Sequence, residues 1–431
     1  MAHVTASAAD PETAILRTHQ RMDFRNCRRK WYWHGGLGRR LVPVLRPVSH
    51  TDYQSPDGET DEALGKELDS WGVTARDKHE EPERRPPAPA LWFGSGMHYA
   101  LEDYHGFNHW GHPATAFKAY ANAYALSDDP IPDMWSELCD LGDGMMKYYV
   151  DEWLAHPDRF YQALTMSKYK TLWIDDVPQC EVEFEIELPI NPRDLYGDAT
   201  PYRRVVYQGT FDRVVIDEYD RLFIVDYKSA AQFESGHFML DPQISAYFWA
   251  AKIIYGRTPS GFIYQQHRKR LPKPPKVLAN GMVSVNAKML TTAGLYETAL
   301  RETYGTNRAV WPGVCVRYLG MLKEKEVSRQ GAFIQVDVVE RNEYQIESEY
   351  QKILMEAQEM LNPNLLLYPN PSRDCSRFCS LMTACISADD GSDVEFELAS
   401  SLQPEREYVG WRQHLSLNPE LLRLDPQTVR K

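Results

Sequence analysis

Three residues near the middle of the chain are of types that act on phosphate esters. Asp212 stands in Gly209-Thr210-Phe211-Asp212-Arg213, and fourteen positions later Val225-Asp226-Tyr227-Lys228 supplies a second acid and a lysine. Residues 203–216 and 221–228 read as strands, separated by a turn at Asp217-Glu218-Tyr219-Asp220. Pairing across that turn brings Asp212 beside Asp226. Asp226 and Lys228, two apart, project from one face of their strand. Two carboxylates at one end of a sheet repel each other unless a divalent cation lies between them. Carboxylates with few other ligands suit Mg²⁺ or Mn²⁺, hard ions that keep water and bind phosphate. A lysine beside them orients a water or neutralises charge building on a phosphate oxygen. The alternative is a solvated hairpin with one surface ion pair. Against it, the apolar run Leu222-Phe223-Ile224-Val225 marks a buried central strand.

The elements around this pair follow from periodicity. Residues 12–34 read as a helix running into a basic, aromatic segment. Residues 48–90 are charged and rich in Pro, Asp and Glu, an exposed insertion with at most a short helix at 61–71. From Leu91 the spacing is helical to about His156. Val182, Phe184, Ile186 and Leu188 then alternate with glutamates as a half-buried strand. A helix over 241–255 has Asp241 near its N-cap and Pro242 in its first turn. Strands at 261–267 and 333–339 and helices at 287–303 and 343–361 complete the pattern. There is no internal repeat. Strands in the middle with helices before, between and after predict one α/β domain with N- and C-terminal elaborations.

In this order the motifs resemble the PD-(D/E)XK nuclease superfamily, and most closely its RecB-type branch. That branch carries a histidine on a helix ahead of the sheet, matched by Gly94-Ser95-Gly96-Met97-His98-Tyr99-Ala100-Leu101-Glu102. It also carries Gln-x-x-x-Tyr on the helix after the lysine strand, matched by Gln243-Ile244-Ser245-Ala246-Tyr247. The resemblance implies a restriction-endonuclease-like central mixed sheet flanked by helices, with the nuclease core at 91–275 and its C-terminal part at 276–390. By the same resemblance His98, Asp212 and Asp226 ligate the metal and Lys228 assists the attacking water. Gln243 and Tyr247 support the site or the DNA strand. Glu102, one turn after His98, is either a further ligand or an exposed helix acid. Asp226 stands where many relatives carry Glu; both chelate, but the shorter arm alters metal preference.

Seven cysteines are too few for a secreted disulfide framework in a chain this long. Cys139, Cys180 and Cys315 stand alone and read as buried packing residues. Cys375, Cys379 and Cys385 crowd near the end, while Cys27 lies in the N-terminal segment 1–47. Several RecB-type nucleases, including AddB and the nucleases of CRISPR adaptation, join their ends through an iron–sulfur cluster with one cysteine before the core and three after it. Resemblance to them implies a 4Fe-4S cluster on Cys27, Cys375, Cys379 and Cys385, joining the N- and C-terminal helical elaborations. Thiolates serve zinc as well, so chemistry alone does not choose. Three residues rather than the commoner two separate Cys375 from Cys379. The tail, 391–431, has no assigned role.

The chain has 431 residues, with 48 basic against 61 acidic, a net charge of −13 with His neutral. Such a protein has no global field to attract a polyanion, so phosphate contact must be local. Arg28-Arg29-Lys30 and Arg268-Lys269-Arg270, continuing to Lys273 and Lys276, are the two basic clusters. Either is a solvated face or a sequence-independent phosphate track. Trp31, Tyr32 and Trp33 are base-stacking platforms or core. The segment from 268 through Thr291-Thr292 to Tyr296 and Ala299 is similar to phage-encoded members of the family. The expected activity is a Mg²⁺- or Mn²⁺-dependent deoxyribonuclease, an exonuclease of recombination, repair or phage DNA metabolism. Its substrate would be DNA with a free end or a single strand, and a recombination or helicase partner or a homo-oligomer stays open. The rivals are a catalytically weak DNA-binding subunit and a zinc-stabilised structural protein. No apolar run approaches the ~18 residues of a membrane span, and the N-terminus lacks a secretory signal. The expected location is the cytoplasm, the host's if the chain is phage-encoded.

Overall fold

The computed structural model describes residues 12–37, 41–43, 88–127, 131–233, 236, 238–328 and 332–404. The 48–90 insertion lies outside them up to residue 87, as does the tail beyond 404. In chain order the elements used below are β1 (Thr13–Arg17), α1 (Thr18–Asn26), α2 (Arg28–Trp33), α3 (Pro89–His105), α4 (Pro113–Leu126), α5 (Trp135–Lys147), β2 (Cys180–Glu187) and β3 (Arg204–Ile216). They continue with β4 (Leu222–Ala230), α6 (Pro242–Tyr255), β5 (Gly261–Arg268), α7 (Ala293–Tyr304), α8 (Gly313–Glu326), β6 (Ile334–Val339), α9 (Glu343–Leu361) and α10 (Met382–Asp390).

These elements form two compact units, each discontinuous in sequence. One draws on Met1–Pro86, Phe184–Gly209 and Tyr350–Tyr408, the other on Pro87–Glu183, Thr210–Glu349 and Val409–Lys431. The expected blocks at 1–47, 91–275 and 276–390 are drawn along the sequence, whereas these units interleave in it. The boundaries fall inside β2, β3 and α9, where hydrophobic periodicity runs on without a break and composition gives no signal.

In the larger unit, the end of β3 pairs antiparallel with β4, from Arg213↔Val225 to Ile216↔Leu222. Asp217 shapes the turn between them: its Oδ1 accepts from the main-chain N–H of Tyr219 and Arg221. β5 runs parallel to β4 and β6 antiparallel to β5, a mixed sheet. A parallel pair needs a crossover, and α6 provides it. Asp241 Oδ1 caps α6 by accepting from the Gln243 N–H, with Pro242 at the first turn.

Helices α3, α4 and α5 are covered together with the sheet in one apolar cluster. Trp92, Phe93, Met97, Phe117 and Tyr120 join Val215, Phe223, Val225, Tyr227 and Ile263 there. Gly96 permits the close approach of α3 to α4, because a Cβ at that position would sit 2.8 Å from the rings of Phe117 and Tyr120. Truncating a buried aromatic such as Phe117 to Ala costs about 3–5 kcal/mol. The packing at Gly96 sets the height of α3, and His98 lies two residues beyond it.

In the smaller unit β1 pairs parallel with the first part of β3, from Thr13↔Arg204 to Arg17↔Gln208. The helix expected over 12–34 is therefore corrected at its start. Ala14 and Leu16 are fully buried on this strand, a period-two pattern too short to stand out beside the helix that follows. α1 is tied to α9 by Arg21 and Arg25, whose Nε atoms lie 2.6 and 2.5 Å from the two carboxylate oxygens of Glu356. The helix expected at 287–303 begins later, at Ala293, where the Thr292 hydroxyl caps it.

Candidate active site

The larger unit brings Asp212 and Asp226 together as the turn at 217–220 predicts. Continuing the β3–β4 register from Arg213↔Val225 sets Asp212 opposite Asp226. Asp212 Oδ2 accepts the main-chain N–H of Tyr227 at 2.7 Å, which fixes the carboxylate against β4. Both acids are buried, with 9% and 2% of their surface exposed. Lys228 Nζ lies 2.9 Å from Asp226 Oδ1 and 2.7 Å from Oδ2. Straddling both oxygens, it directs a proper hydrogen bond only to Oδ1, and the buried Oδ2 is left without one.

His98 comes to the same place from α3. Its Nε2 lies 3.1 Å from the Tyr227 carbonyl, an acceptor, so Nε2 carries a proton and donates. Its Nδ1 then faces two carboxylates, 3.0 Å from Glu181 Oε1 and 3.6 Å from Asp212 Oδ1. A carbonyl that holds one ring nitrogen in this way orients the other as a ligand. Burial opposes a charge on His98, but Asp212 and Glu181 outweigh it and raise the imidazole to about 9. Burial lifts Asp212 above the usual carboxylate range against the pull of His98. Burial raises Asp226 to about 6, with Lys228 opposing and Asp212 adding to the rise. Lys228 stays charged because Asp226 and Asp212 overcome its burial.

Ligand atoms of His98, Glu181 and Asp212 all lie within 4.8 Å of one another. Two oxygen donors and one nitrogen, beside a buried acid whose Oδ2 lacks a directed hydrogen bond, fit a divalent cation. Glu181 is the residue that sequence reasoning missed. It sits near the start of β2 with φ +47, a left-handed conformation within the strand. Such a kink re-aims one side chain, so counting alternate positions assigns the glutamates of this strand to solvent and overlooks the one that turns inward. The only available signal was an acid at the edge of the alternating run, before Val182.

Glu102 does not join this group. It acts electrostatically on Tyr99 and Cys180 instead, and Glu181 occupies the place expected of a further ligand. Gln243 lies in the first turn of α6, where its main-chain N–H is taken up by Asp241 Oδ1. Tyr247 is buried and packs edge-on against Phe211, at 5.3 Å between ring centres, and so backs the residue next to Asp212. Cys139 and Cys315 are buried as expected, whereas Cys180 is half-buried, its thiol pushed up to about 12 by burial.

The two basic clusters differ. In the smaller unit Arg28 is paired with Glu359, Arg29 with Asp389 at 2.9 Å and Lys30 with Asp23 at 2.9 Å, so all three charges are met within the chain. Trp31 is core, while Arg29 stacks over Trp33 and Tyr32 is exposed. In the larger unit Ala230 pairs with Arg268, two residues beyond Lys228. Arg268 lies over Phe233 at 4.6 Å, and Arg270 is exposed. With Lys288 these residues line a groove of about 410 Å³. Lys269 and Lys273 anchor the loop by their main-chain N–H groups, to Ala230 and Leu290.

The four grouped cysteines lie in the smaller unit and form no disulfide. Cys27 Sγ accepts from the Lys30 N–H at 3.5 Å, and Cys375 Sγ from the Ser372 N–H at 3.3 Å. Arg29 Nη1 lies 3.3 Å from Cys385 Sγ, and Asn370 Nδ2 donates to the Asn26 carbonyl at 2.9 Å. Among the described residues no three of these sulfurs come within 4.8 Å of one another. Three thiolates on one zinc, each at about 2.3 Å, would stand about 3.8 Å apart.

The family model for the PD-(D/E)XK nuclease superfamily matches residues 70–386. The chain belongs to that superfamily, and membership implies nuclease activity in general. No curated protein matches the chain. None of the helices among the described residues is long and apolar enough to cross a membrane.

Proposed function

We propose that the protein is a Mg²⁺- or Mn²⁺-dependent deoxyribonuclease, an exonuclease of recombination, repair or phage DNA metabolism. The convergence of His98, Glu181 and Asp212 beside the Asp226–Lys228 pair carries this reading. Those three residues would hold the cation, which supplies Lewis-acid charge for a phosphate oxygen and eases ionisation of water. Tyr227 holds both Asp212 and His98 in place through its main chain. Lys228, with 38% of its side chain exposed, meets the substrate as a fixed positive charge for the oxygen that gains charge in the transition state. The imidazole donor favours Mn²⁺ over Mg²⁺. The groove at Phe233, Arg268, Arg270 and Lys288, two residues along the sheet from Lys228, supports a strand end as substrate.

Digestion of end-labelled linear and circular DNA, single- and double-stranded, with Mg²⁺, Mn²⁺ or EDTA tests this. Metal-dependent loss of linear but not circular DNA, absent in Asp226→Ala, is the expected result. Cutting of circles makes the enzyme an endonuclease. No cutting under any condition by iron-replete protein moves the reading to a DNA-binding subunit.

For Cys27, Cys375, Cys379 and Cys385 the proposed role is a 4Fe-4S cluster. Donors aimed at three of the four sulfurs support it, since hydrogen bonds of this kind stabilise cluster thiolates. A cluster would close a loop of about 350 residues, and its assembly would then contribute to folding. Iron and sulfide analysis after anaerobic purification, on wild type and Cys379→Ala, tests it. Stoichiometric zinc without iron overturns it.

A further inference from the structure

Arg213 follows Asp212 in β3 but takes no part in the metal group. It is 5% exposed, and among the described residues no carboxylate pairs with it. Its Nε donates to Thr171 Oγ1 at 2.9 Å and its Nη1 to the Tyr227 hydroxyl at 3.3 Å. Nη2 has no partner among the described residues. A guanidinium buried among neutral groups is costly, because nothing replaces the solvation it lost.

This side chain lines a pocket of about 360 Å³ that contains no aspartate or glutamate. Tyr104, Asn108 and Tyr169 line it too, and among the described residues their side-chain polar groups have no hydrogen-bond partner. The acids that act on its tyrosines are engaged elsewhere. Asp151 acts on Tyr104 but lies 3.2 Å from His112, and Asp217 acts on Tyr169 but is bonded to Arg221. The pocket therefore presents one buried cation, the half-buried hydroxyls of Tyr104 and Tyr169 and the exposed amide of Asn108, with no acid among its described lining residues.

We propose that this pocket binds a phosphate group, free or carried by a mononucleotide. Arg213 supplies the counter-charge, and Tyr104, Asn108 and Tyr169 donate to the terminal oxygens. One guanidinium with three neutral donors matches the three terminal oxygens of a phosphate better than the two of a carboxylate. Tyr227 joins this pocket to the metal group. Its hydroxyl accepts from Arg213, while its main-chain N–H and carbonyl hold Asp212 and His98. The site stands whether or not the proposed nuclease reading does.

Calorimetric titration with inorganic phosphate, and separately with dAMP, tests it at constant ionic strength in EDTA. The expected result is a single phosphate site in the wild type, weakened at least tenfold in Tyr104→Phe/Tyr169→Phe without loss of thermal stability. Arg213→Met abolishes it; because that change removes a buried side chain, the tyrosine pair is the decisive variant. Arg270→Ala, in the basic groove, leaves the titration unchanged. Equal affinity for the two ligands assigns free phosphate and tighter dAMP assigns a nucleotide; both uphold the site. Absence of phosphate binding overturns it. So does binding that survives in the tyrosine pair but disappears in Arg270→Ala.

Discussion

Acids and bases meet in both units, but with opposite balance. In the smaller unit each acid at the α1–α2 surface has a cationic partner: Glu356 meets Arg21 and Arg25, Glu359 meets Arg28, Asp389 meets Arg29 and Asp23 meets Lys30. In the larger unit, among the described residues, Glu181, Asp212 and Asp226 face Lys228 and a histidine that must hold an extra proton to help. The first arrangement is complete and serves to hold segments distant in sequence. The second is short of positive charge, and that shortage is what a divalent cation answers. The same residue types thus make a clamp in one place and a binding site in the other.

The comparison is broken most directly by removing one acid from each side. Asp226→Asn is expected to reduce cleavage by about 10³-fold or more, since it loosens Lys228 and removes a charge beside the reacting phosphate. Its melting temperature in EDTA should equal or exceed that of the wild type, because an unfavourable buried charge is gone. Glu356→Ala should do the reverse for stability. It removes a carboxylate that meets Arg21, which is 1% exposed, and a broken buried pair costs about 3–5 kcal/mol. Thermal unfolding of the two variants side by side checks both. A fall in stability for Asp226→Asn as large as that for Glu356→Ala would mean that both units are clamps.

Glu181→Gln sharpens the comparison with a smaller effect. The amide keeps the shape and one acceptor oxygen but loses the charge. Metal affinity is expected to fall by about 10–100-fold, the scale seen when one partner around a metal is altered. Titrating activity against Mn²⁺ reads this directly: the half-saturating concentration should rise while activity at saturating metal largely recovers. An unchanged metal requirement would remove Glu181 from the ligand set.

Much of the site was legible because local rules and tertiary packing agree there. Asp212, Asp226 and Lys228 lie on strands whose alternation, turn and apolar flanks all point one way, and α6 begins and ends where Asp241 and Gly256 say it should. Glu181 was not legible, because its position depends on a left-handed residue inside a strand, which no periodicity reveals. Glu102, one helical turn after His98 and by sequence either a ligand or a helix acid, acts on Tyr99 and Cys180. The basic run at 28–30 has the composition of a phosphate track, and only the fold shows the acids from residues 359 and 389 that meet it.

The smallest expected effect, and the most specific to the larger unit, is in pH. In metal-free protein the folded state raises Asp226 to about 6, above the ~3.9 of an unfolded aspartate. The folded form then binds the proton more tightly, so stability from this group is lost as pH rises from about 4 through about 6. His98 is raised to about 9 from ~6.5, so its contribution is full below about 6.5 and is lost as pH rises through 9. Both slopes run the same way. A bound cation competes with these protons, so its stabilising effect must grow over the same interval. Melting temperatures measured in EDTA and in Mn²⁺ should therefore diverge steadily from about pH 5 to about pH 9. His98→Asn should flatten the upper part of that divergence and leave the lower part, where Asp226 titrates. A gap that stays constant with pH would mean that the cation binds without displacing a proton, and so away from the group formed by His98, Glu181 and Asp212.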